Sequence, residues 1–119
     1  MPEIEDLKKK LEEFRDERDW QQFHDPKNLA LALSIEAAEL NELFLWKKGQ
    51  EIDLIDREKL KEEIADVFAY AILLAGSYGF DVSEIVSQKI KKNAQKYPVE
   101  EFRGSAKKYT ELNEIRDKS

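Results

Sequence analysis

The sequence predicts an all-α protein, a four-helix-bundle-like helical domain completed by oligomerisation. Its 119 residues include only four Gly and three Pro, so there is little material for many turns. Hydrophobic residues make up 41% and charged residues 39%, a balance typical of amphipathic helices with one polar face. Apolar residues also recur at helical spacing in four stretches. We therefore expect a few long helices in one domain over residues 1–112, followed by a disordered tail over residues 113–119.

Composition also excludes several classes of function. A formal net charge of −6 argues against nonspecific binding to nucleic acid or to an anionic membrane. The absence of cysteine excludes disulfides, thiolate metal sites and thiol nucleophiles. No apolar run approaches the roughly 18 residues of a membrane span, and the acidic beginning does not read as a signal peptide. We expect a cytoplasmic protein without a nucleic-acid or membrane partner.

The first helix is predicted over residues 3–19, where a narrow apolar stripe suits an outer helix, with Pro2 at its start. The stripe consists of Ile4, Leu7, Leu11 and Phe14. A polar segment with Trp20, Phe23 and His24 follows. We expect a loop whose aromatic residues anchor it to the core. Asp25 and Pro26 then form an N-cap and first-turn pair for the second helix.

The second helix, over residues 28–48, places Glu36 and Glu39 in the stripe that should face the core. The same stripe carries Leu29, Leu33, Leu40 and Leu43. An unpaired buried carboxylate is costly, so each must be protonated, paired with a cation or bound to a metal. The helix is expected to close at Trp46, Lys47, Lys48 and Gly49, where cations and glycine suit a helix end.

The third helix, over residues 59–76, repeats this arrangement with Glu63 and Asp66. If the two helices form an antiparallel hairpin, four carboxylates converge on one volume, which favours Mg²⁺ or Mn²⁺ as the occupant. Salt bridges to the fourth helix are the alternative. A di-iron site would normally add E-x-x-H motifs, and the only histidine, His24, lies outside both helices. Phe68 and Ile72, on the face opposite the acids, predict contact with another subunit.

The fourth helix follows Asp81, which has capping-box spacing to Glu84, and it ends before Pro98. Lys89, Asn93 and Lys96 lie along one of its faces. A basic strip beside an oxygen-ligated magnesium site suits phosphate chemistry, which points to hydrolysis of a nucleoside triphosphate. The chain has no G-x-x-x-x-G-K-[ST] loop, so metals and side chains would hold the phosphates.

These motifs resemble those of the MazG-like all-α nucleoside triphosphate pyrophosphohydrolases, which carry an E-x-x-E pair and a later E-x-x-D pair. Glu36–Glu39 and Glu63–Asp66 fit that signature. The dCTP pyrophosphatase branch is the closer match over about residues 4–112. The matching segments are Glu17-Arg18-Asp19-Trp20, Gln22-Phe23-His24, Pro26, Asn28-Leu29, Glu42-Leu43-Phe44, Trp46-Lys47, Asn93, Tyr97-Pro98-Val99 and Arg103-Gly104-Ser105-Ala106.

The resemblance implies a homo-oligomer, a dimer or tetramer, that cleaves a deoxynucleoside triphosphate to the monophosphate and pyrophosphate with Mg²⁺. It implies magnesium ligation by the four acids of the two pairs. It also implies that phosphates are held by Lys89, Asn93, Lys96 and Tyr97, and that the base and sugar are contacted by Trp20, His24, Trp46 and Tyr70. Some relatives carry Arg where this chain has Lys96.

Three hypotheses follow from these residues. The first is an enzyme that removes excess or modified pyrimidine deoxynucleotides, dCTP above all. The second is a triphosphate pyrophosphohydrolase of broader base preference, and the third is a non-catalytic helical module whose acids bind a basic partner. For the enzyme we expect Glu39 to orient or deprotonate the attacking water. Glu42 and Glu62 lie at the edge of the acidic face, and we expect their carboxylates to be solvated.

Overall fold

The computed structural model describes residues 3–104, and these residues form five α-helices and no strand. This confirms the predicted all-α class. The helices are α1 (Ile4–Glu17), α2 (Pro26–Glu42), α3 (Arg57–Ser77), α4 (Val82–Lys96) and α5 (Val99–Phe102). Two 3₁₀ segments, Gln21–Phe23 and Gly49–Leu54, precede α2 and α3. The predictions for Pro2 and for the tail over residues 113–119 lie outside the described residues.

The N-termini of α2 and α3 are capped by aspartates. The Asp25 side chain accepts a hydrogen bond from the Asn28 backbone N–H at 2.8 Å, and Pro26 occupies the first turn, as the sequence predicts. Asp56 plays the same part for α3, accepting from the Glu58 N–H at 3.0 Å. These caps satisfy backbone donors that have no partner within the helix.

The predicted end of the second helix is wrong, because α2 stops at Glu42 rather than near Gly49. Residues 43–47 continue in tighter turns whose backbone N–H groups reach carbonyls three residues back, such as Leu45 N–H to Glu42 at 3.2 Å. Trp46 then adopts a left-handed backbone with φ 65°. These turns redirect the chain before the cationic residues, so Lys47 and Lys48 do not close the helix.

The chain divides into two compact units, residues 1–82 and 83–119. Within the first, α2 packs against α3 and α1 packs against α3. Its buried hydrophobic side chains are Leu29, Ile55, Ile72 and Leu73. They come from α2, from the connection before α3 and from α3 itself. The core therefore lies on α3, the helix that carries the second acidic pair.

The structure corrects the pairing of Phe68 with Ile72. Ile72 is only 6% exposed and belongs to the core of its own chain, whereas Phe68 is 63% exposed. α1 packs on α3, and Leu11 and Phe14 of α1 line an apolar groove together with Phe68 and Ile72. Only Phe68 remains available for the predicted subunit contact.

The second unit is described through α4 and α5. Pro98 precedes α5, and α4 ends at Lys96 as predicted. The Tyr97 ring packs edge to face on Phe102 with centroids 4.9 Å apart. No single helix of residues 3–104 is long and apolar enough to cross a membrane, and only α3 and α4 counted together as one bent span meet that test by length and composition.

Candidate active site

Three carboxylates from two helices meet at one point. Glu36 and Glu39 come from α2 and Glu63 from α3, and one oxygen of each lies within 4.8 Å of the others. The three-residue spacing puts both α2 acids on one side of their helix, and the packing of α2 on α3 brings Glu63 to them. We call these three residues the carboxylate cluster.

The cluster holds its negative charge at an energetic cost. The pKa of Glu36 is raised from 4.5 to about 7, first by burial, then by contact with the Glu39 carboxyl and by the charges of Glu39, Asp66 and Glu63. The pKa of Glu63 is also raised, with burial as the largest cause and the charge of Glu39 next. Neighbouring like charges and lost hydration both favour the protonated form. Around neutral pH the cluster therefore binds a proton or a cation readily.

The donor set fits a divalent cation. Oε2 of Glu36 and Oε2 of Glu63 are buried and have no hydrogen-bond partner among the described residues. Buried polar atoms normally have one. Carboxylate oxygens at this spacing are the ligands that hard cations such as Mg²⁺ prefer. No lysine or arginine among the described residues forms an ion pair with the cluster, as the salt-bridge alternative would require.

Asp66, the fourth predicted acid, stands between the cluster and a cavity. Its charge contributes to the raised pKa of both Glu36 and Glu63. It is not among the three residues whose oxygens lie within 4.8 Å. Instead it lines a cavity of about 280 Å³. The acidic site and this cavity therefore share a wall.

The cavity has mainly apolar and aromatic walls from α1, α3 and the segment between α1 and α2. Its lining residues are Leu11, Phe14, Arg15, Trp20, His24, Asp66, Ala69, Tyr70 and Leu73. Three of the residues predicted to contact the base and sugar, Trp20, His24 and Tyr70, are thus brought together. We call this space the aromatic cavity.

A tight turn after α1 positions Trp20. The Trp20 backbone N–H donates to the Arg15 carbonyl at 3.0 Å, and Asp19 before it adopts a left-handed backbone with φ 56°. Aspartate tolerates that region better than most residues. The indole packs edge to face on Phe14 with centroids 5.8 Å apart, and Arg18 lies 3.6 Å above the Phe14 ring. The indole is therefore held in place while 43% of Trp20 stays exposed.

His24 and Tyr70 lie together on another part of the wall, with ring centroids 6.3 Å apart. Burial, followed by the charge of Arg15, lowers the pKa of His24, so its imidazole is neutral at pH 7. Its Nδ1 is buried without a hydrogen-bond partner in the described part of the chain. The pKa of Tyr70 is raised by burial and then by the charge of Glu36, so the phenol keeps its proton. Both rings offer neutral polar atoms to a ligand.

The remaining predicted residues are not part of these walls. Trp46 is 85% exposed and does not line the aromatic cavity. Asn28, one of the residues that carry the family resemblance, donates from its side chain to the Phe23 carbonyl at 3.2 Å and to Asp25, so it serves the start of α2. In the second unit, Lys89, Asn93 and Lys96 belong to α4, and Tyr97 follows it.

Sequence reasoning assigned Leu11 and Phe14 only to a packing stripe and overlooked Arg15, although all three line the cavity. One signal was available. Arg15 lies four residues after Leu11, so the guanidinium occupies a position on the apolar face of α1. A charged residue on an apolar helix face indicates a binding site, whether it is a cation, as on α1, or an acid, as on α2 and α3.

Comparisons with known proteins agree with this architecture. Residues 31–112 match the sequence model of the MazG-like family. The chain is 45% identical to dCTP pyrophosphatase 1 of Mus musculus and 42% identical to that of Homo sapiens, in each case over 93% of this chain and 68% of the relative. A crystal structure of a pyrophosphatase from Archaeoglobus fulgidus is similar with a TM-score of 0.74 and 42% identity, covering 82% of this chain and 94% of that one.

Proposed function

Because the chain belongs to the MazG-like family, we propose that it is a Mg²⁺-dependent pyrophosphohydrolase that prefers dCTP or modified pyrimidine deoxynucleoside triphosphates. Cleavage of a nucleoside triphosphate to the monophosphate and pyrophosphate follows from its relatives, which are dCTP pyrophosphatases and a pyrophosphatase. The observation that carries the proposal is the carboxylate cluster beside the aromatic cavity. The carboxylate cluster would supply a cation site, and the aromatic cavity would supply a base site. Asp66 would contribute to both.

Glu36, Glu39, Glu63 and Asp66 would hold the metal. When bound, Mg²⁺ supplies Lewis-acid polarisation of phosphoryl oxygens and lowers the pKa of a coordinated water; Mn²⁺ is an alternative. The buried, unpartnered oxygens of Glu36 and Glu63 support their role as ligands. Glu39 is the exposed member of the cluster. Its carboxylate is therefore the best placed of the three to accept a proton from a water that attacks the α-phosphorus.

The chain's other polar residues bind and orient the substrate in this proposal. Lys89, Asn93, Lys96 and Tyr97 hold the phosphates and neutralise the leaving pyrophosphate. Trp20 and Tyr70 contact the base and sugar, and the neutral His24 hydrogen-bonds to the base. Trp46 joins the base site from a neighbouring subunit of a dimer or tetramer. This last role is supported by its exposure and by its absence from the walls of the aromatic cavity.

A product-resolved screen of the common and base-modified nucleoside triphosphates tests the function. Wild-type protein with Mg²⁺ should release the monophosphate and pyrophosphate, with dCTP or a modified pyrimidine ahead of purines. Glu36→Gln, Glu39→Gln, Glu63→Gln and Asp66→Asn should each lower turnover by orders of magnitude, whereas Glu13→Gln on α1 should not.

The screen also distinguishes the alternatives. Equal turnover of dATP, dGTP and dCTP would favour the broader pyrophosphohydrolase. Wild-type turnover in all four carboxylate variants would reject the metal site. Calorimetric titration with Mg²⁺ and a nonhydrolysable dCTP analogue would show no binding by a non-catalytic module.

A further inference from the structure

Arg15 is a charged residue in an otherwise largely apolar cavity wall. It lines the aromatic cavity together with Leu11, Phe14 and Leu73. Its side chain is 23% exposed. It belongs to neither acidic pair nor to the basic strip on α4, and the function proposed above assigns it no role. A cation among apolar and aromatic side chains needs polar partners, and the Asp16 carboxylate is one of them.

The Arg15 guanidinium is anchored through only one of its nitrogens. Nε donates to Oδ1 of Asp16 at 2.9 Å. Nη1 and Nη2 make no hydrogen bond to any of residues 3–104. Asp16 thereby fixes the direction of the guanidinium plane, and the two terminal nitrogens keep their donors for a ligand.

The same turn positions Arg15 and Trp20 relative to each other. The Arg15 carbonyl accepts hydrogen bonds from the Arg18 and Trp20 backbone N–H groups, at 3.2 and 3.0 Å. The wall therefore contains an aromatic ring and a guanidinium-bearing residue with a fixed backbone relation between them. A planar ring with acceptors on its edge fits such a pair, because the face stacks and the edge accepts.

We propose that Arg15 is a specificity-determining residue, whose terminal N–H groups bind two adjacent hydrogen-bond acceptors on the edge of a nucleobase in the aromatic cavity. Among pyrimidines, cytosine presents adjacent acceptors at O2 and N3, whereas thymine and uracil carry an N3–H donor at that place. With thymine, one arginine donor would face another donor and stay unpaired, and buried unpaired polar groups give strong discrimination. This inference rests on the proposed function for the identity of the ligand as a nucleotide.

Arg15 binds the base in this proposal rather than the phosphates because of what surrounds it. The aromatic cavity is lined by Phe14, Trp20 and Tyr70, and Asp66 is its one acidic residue among residues 3–104. Stacking surfaces favour a ring, and a cation held by the acids would attract phosphate oxygens to the carboxylate cluster. The phosphates therefore belong on the side of the carboxylate cluster.

Binding of dCMP and dTMP, measured by calorimetry on the wild type, Arg15→Met, Arg15→Lys and Arg57→Met, tests the role of Arg15 without requiring turnover. Lysine keeps the charge but lacks the planar fork, and Arg57 is a matched arginine at the start of α3 that does not line the cavity. We expect both Arg15 variants to bind dCMP about tenfold more weakly, with dTMP changed less than about twofold. Arg57→Met should behave like the wild type.

Steady-state kinetics provides the second measurement. KM for dCTP should rise about tenfold in Arg15→Lys, while kcat and the Mg²⁺ dependence stay near those of the wild type. A normal melting temperature of Arg15→Lys shows that the fold is kept.

Three results would overturn the proposal. The first is that Arg15→Met keeps the wild-type preference for dCMP over dTMP. The second is that Arg15→Lys keeps this preference while Arg15→Met loses it. The third is that the Arg15 variants bind dCMP and dTMP more weakly by the same factor. If the wild type binds no nucleotide, the proposal fails as well. A wild type that prefers dCMP but hydrolyses no triphosphate would reject the proposed function while leaving the role of Arg15 intact.

Discussion

Replacing Glu36 by Gln should stabilise the metal-free protein at pH 8 and destabilise it relative to wild type when Mg²⁺ is present. In the folded wild type, the pKa of Glu36 is raised from 4.5 to about 7 by burial and by neighbouring carboxylates. A carboxyl with a raised pKa costs no stability below the unfolded value of about 4.5, because both states are then protonated. The cost develops as the pH rises and is complete above about pH 7. Glutamine removes it with almost no change in volume.

The size of the change in unfolding free energy follows from the difference between the unfolded and folded pKa values of Glu36. At 1.36 kcal/mol per pH unit, the difference between 4.5 and about 7 sets an upper limit of about 3.4 kcal/mol. The Glu36 side chain is only partly buried, and solvent screening reduces the effect to about 1 kcal/mol. For a domain of this length, that corresponds to a rise of about 4 °C in Tm at pH 8. At pH 4.5, where about half of the unfolded carboxyl is protonated, the difference in Tm should shrink to about 1 °C.

The assay is thermal unfolding followed by circular dichroism in EDTA and in excess MgCl₂, at pH 4.5 and pH 8. Mg²⁺ at 100 times its Kd stabilises the wild type by about 2.7 kcal/mol, and the variant, which lacks a ligand, should gain much less. Glu13→Gln removes an equal charge outside the cluster and serves as the control. An equal change in Tm at both pH values in Glu36→Gln, the same change in Glu13→Gln, or a wild-type Tm that Mg²⁺ leaves unchanged would each refute this role of the Glu36 carboxylate.

Three further predictions address the mechanism, the assembly and the base site. Hydrolysis in ¹⁸O-labelled water should place the label in the monophosphate, read by mass spectrometry; label in the pyrophosphate would mean attack at the β-phosphorus and would exclude the proposed role of Glu39. The protein should be at least a dimer, because Phe68 is 63% exposed, and Phe68→Asp should lower the mass measured by light scattering while helicity is kept; a monomeric wild type at micromolar concentration contradicts this. Trp20→Ala and Trp46→Ala should each raise KM for dCTP about tenfold with a smaller effect on Mg²⁺ affinity, and an unchanged KM in both variants would remove stacking from the account.

The local pattern was sufficient for features that depend on neighbours along the chain. Asp25 caps α2 and Pro98 follows the end of α4, since both effects act within one turn of backbone. The spacing of Glu36 to Glu39 placed both carboxylates on one side of a helix, whatever that helix would pack against. The all-α class followed in the same way, from apolar residues repeated at helical period.

Other features depended on which helix surfaces pack together, and the spacing of apolar residues does not predict that. Ile72 and Phe68 occupy the same face of α3, yet only Ile72 is covered by its own chain. Ile55 is buried although it lies in a connection that showed no apolar period. The turns that end α2 at Glu42 also cannot be read from helix propensity, because Leu43 to Trp46 would suit a helix.

The sequence by itself determined that this chain is helical, that it carries two acidic pairs on apolar faces and that those pairs call for a cation. Only the tertiary structure decided that Glu36, Glu39 and Glu63 come within 4.8 Å, that Asp66 faces a cavity, and that Arg15 joins Trp20, His24 and Tyr70 in its wall. The physical reason is that helical period specifies the direction of a side chain around its own axis. The distance between side chains on different helices is set by how those helices pack.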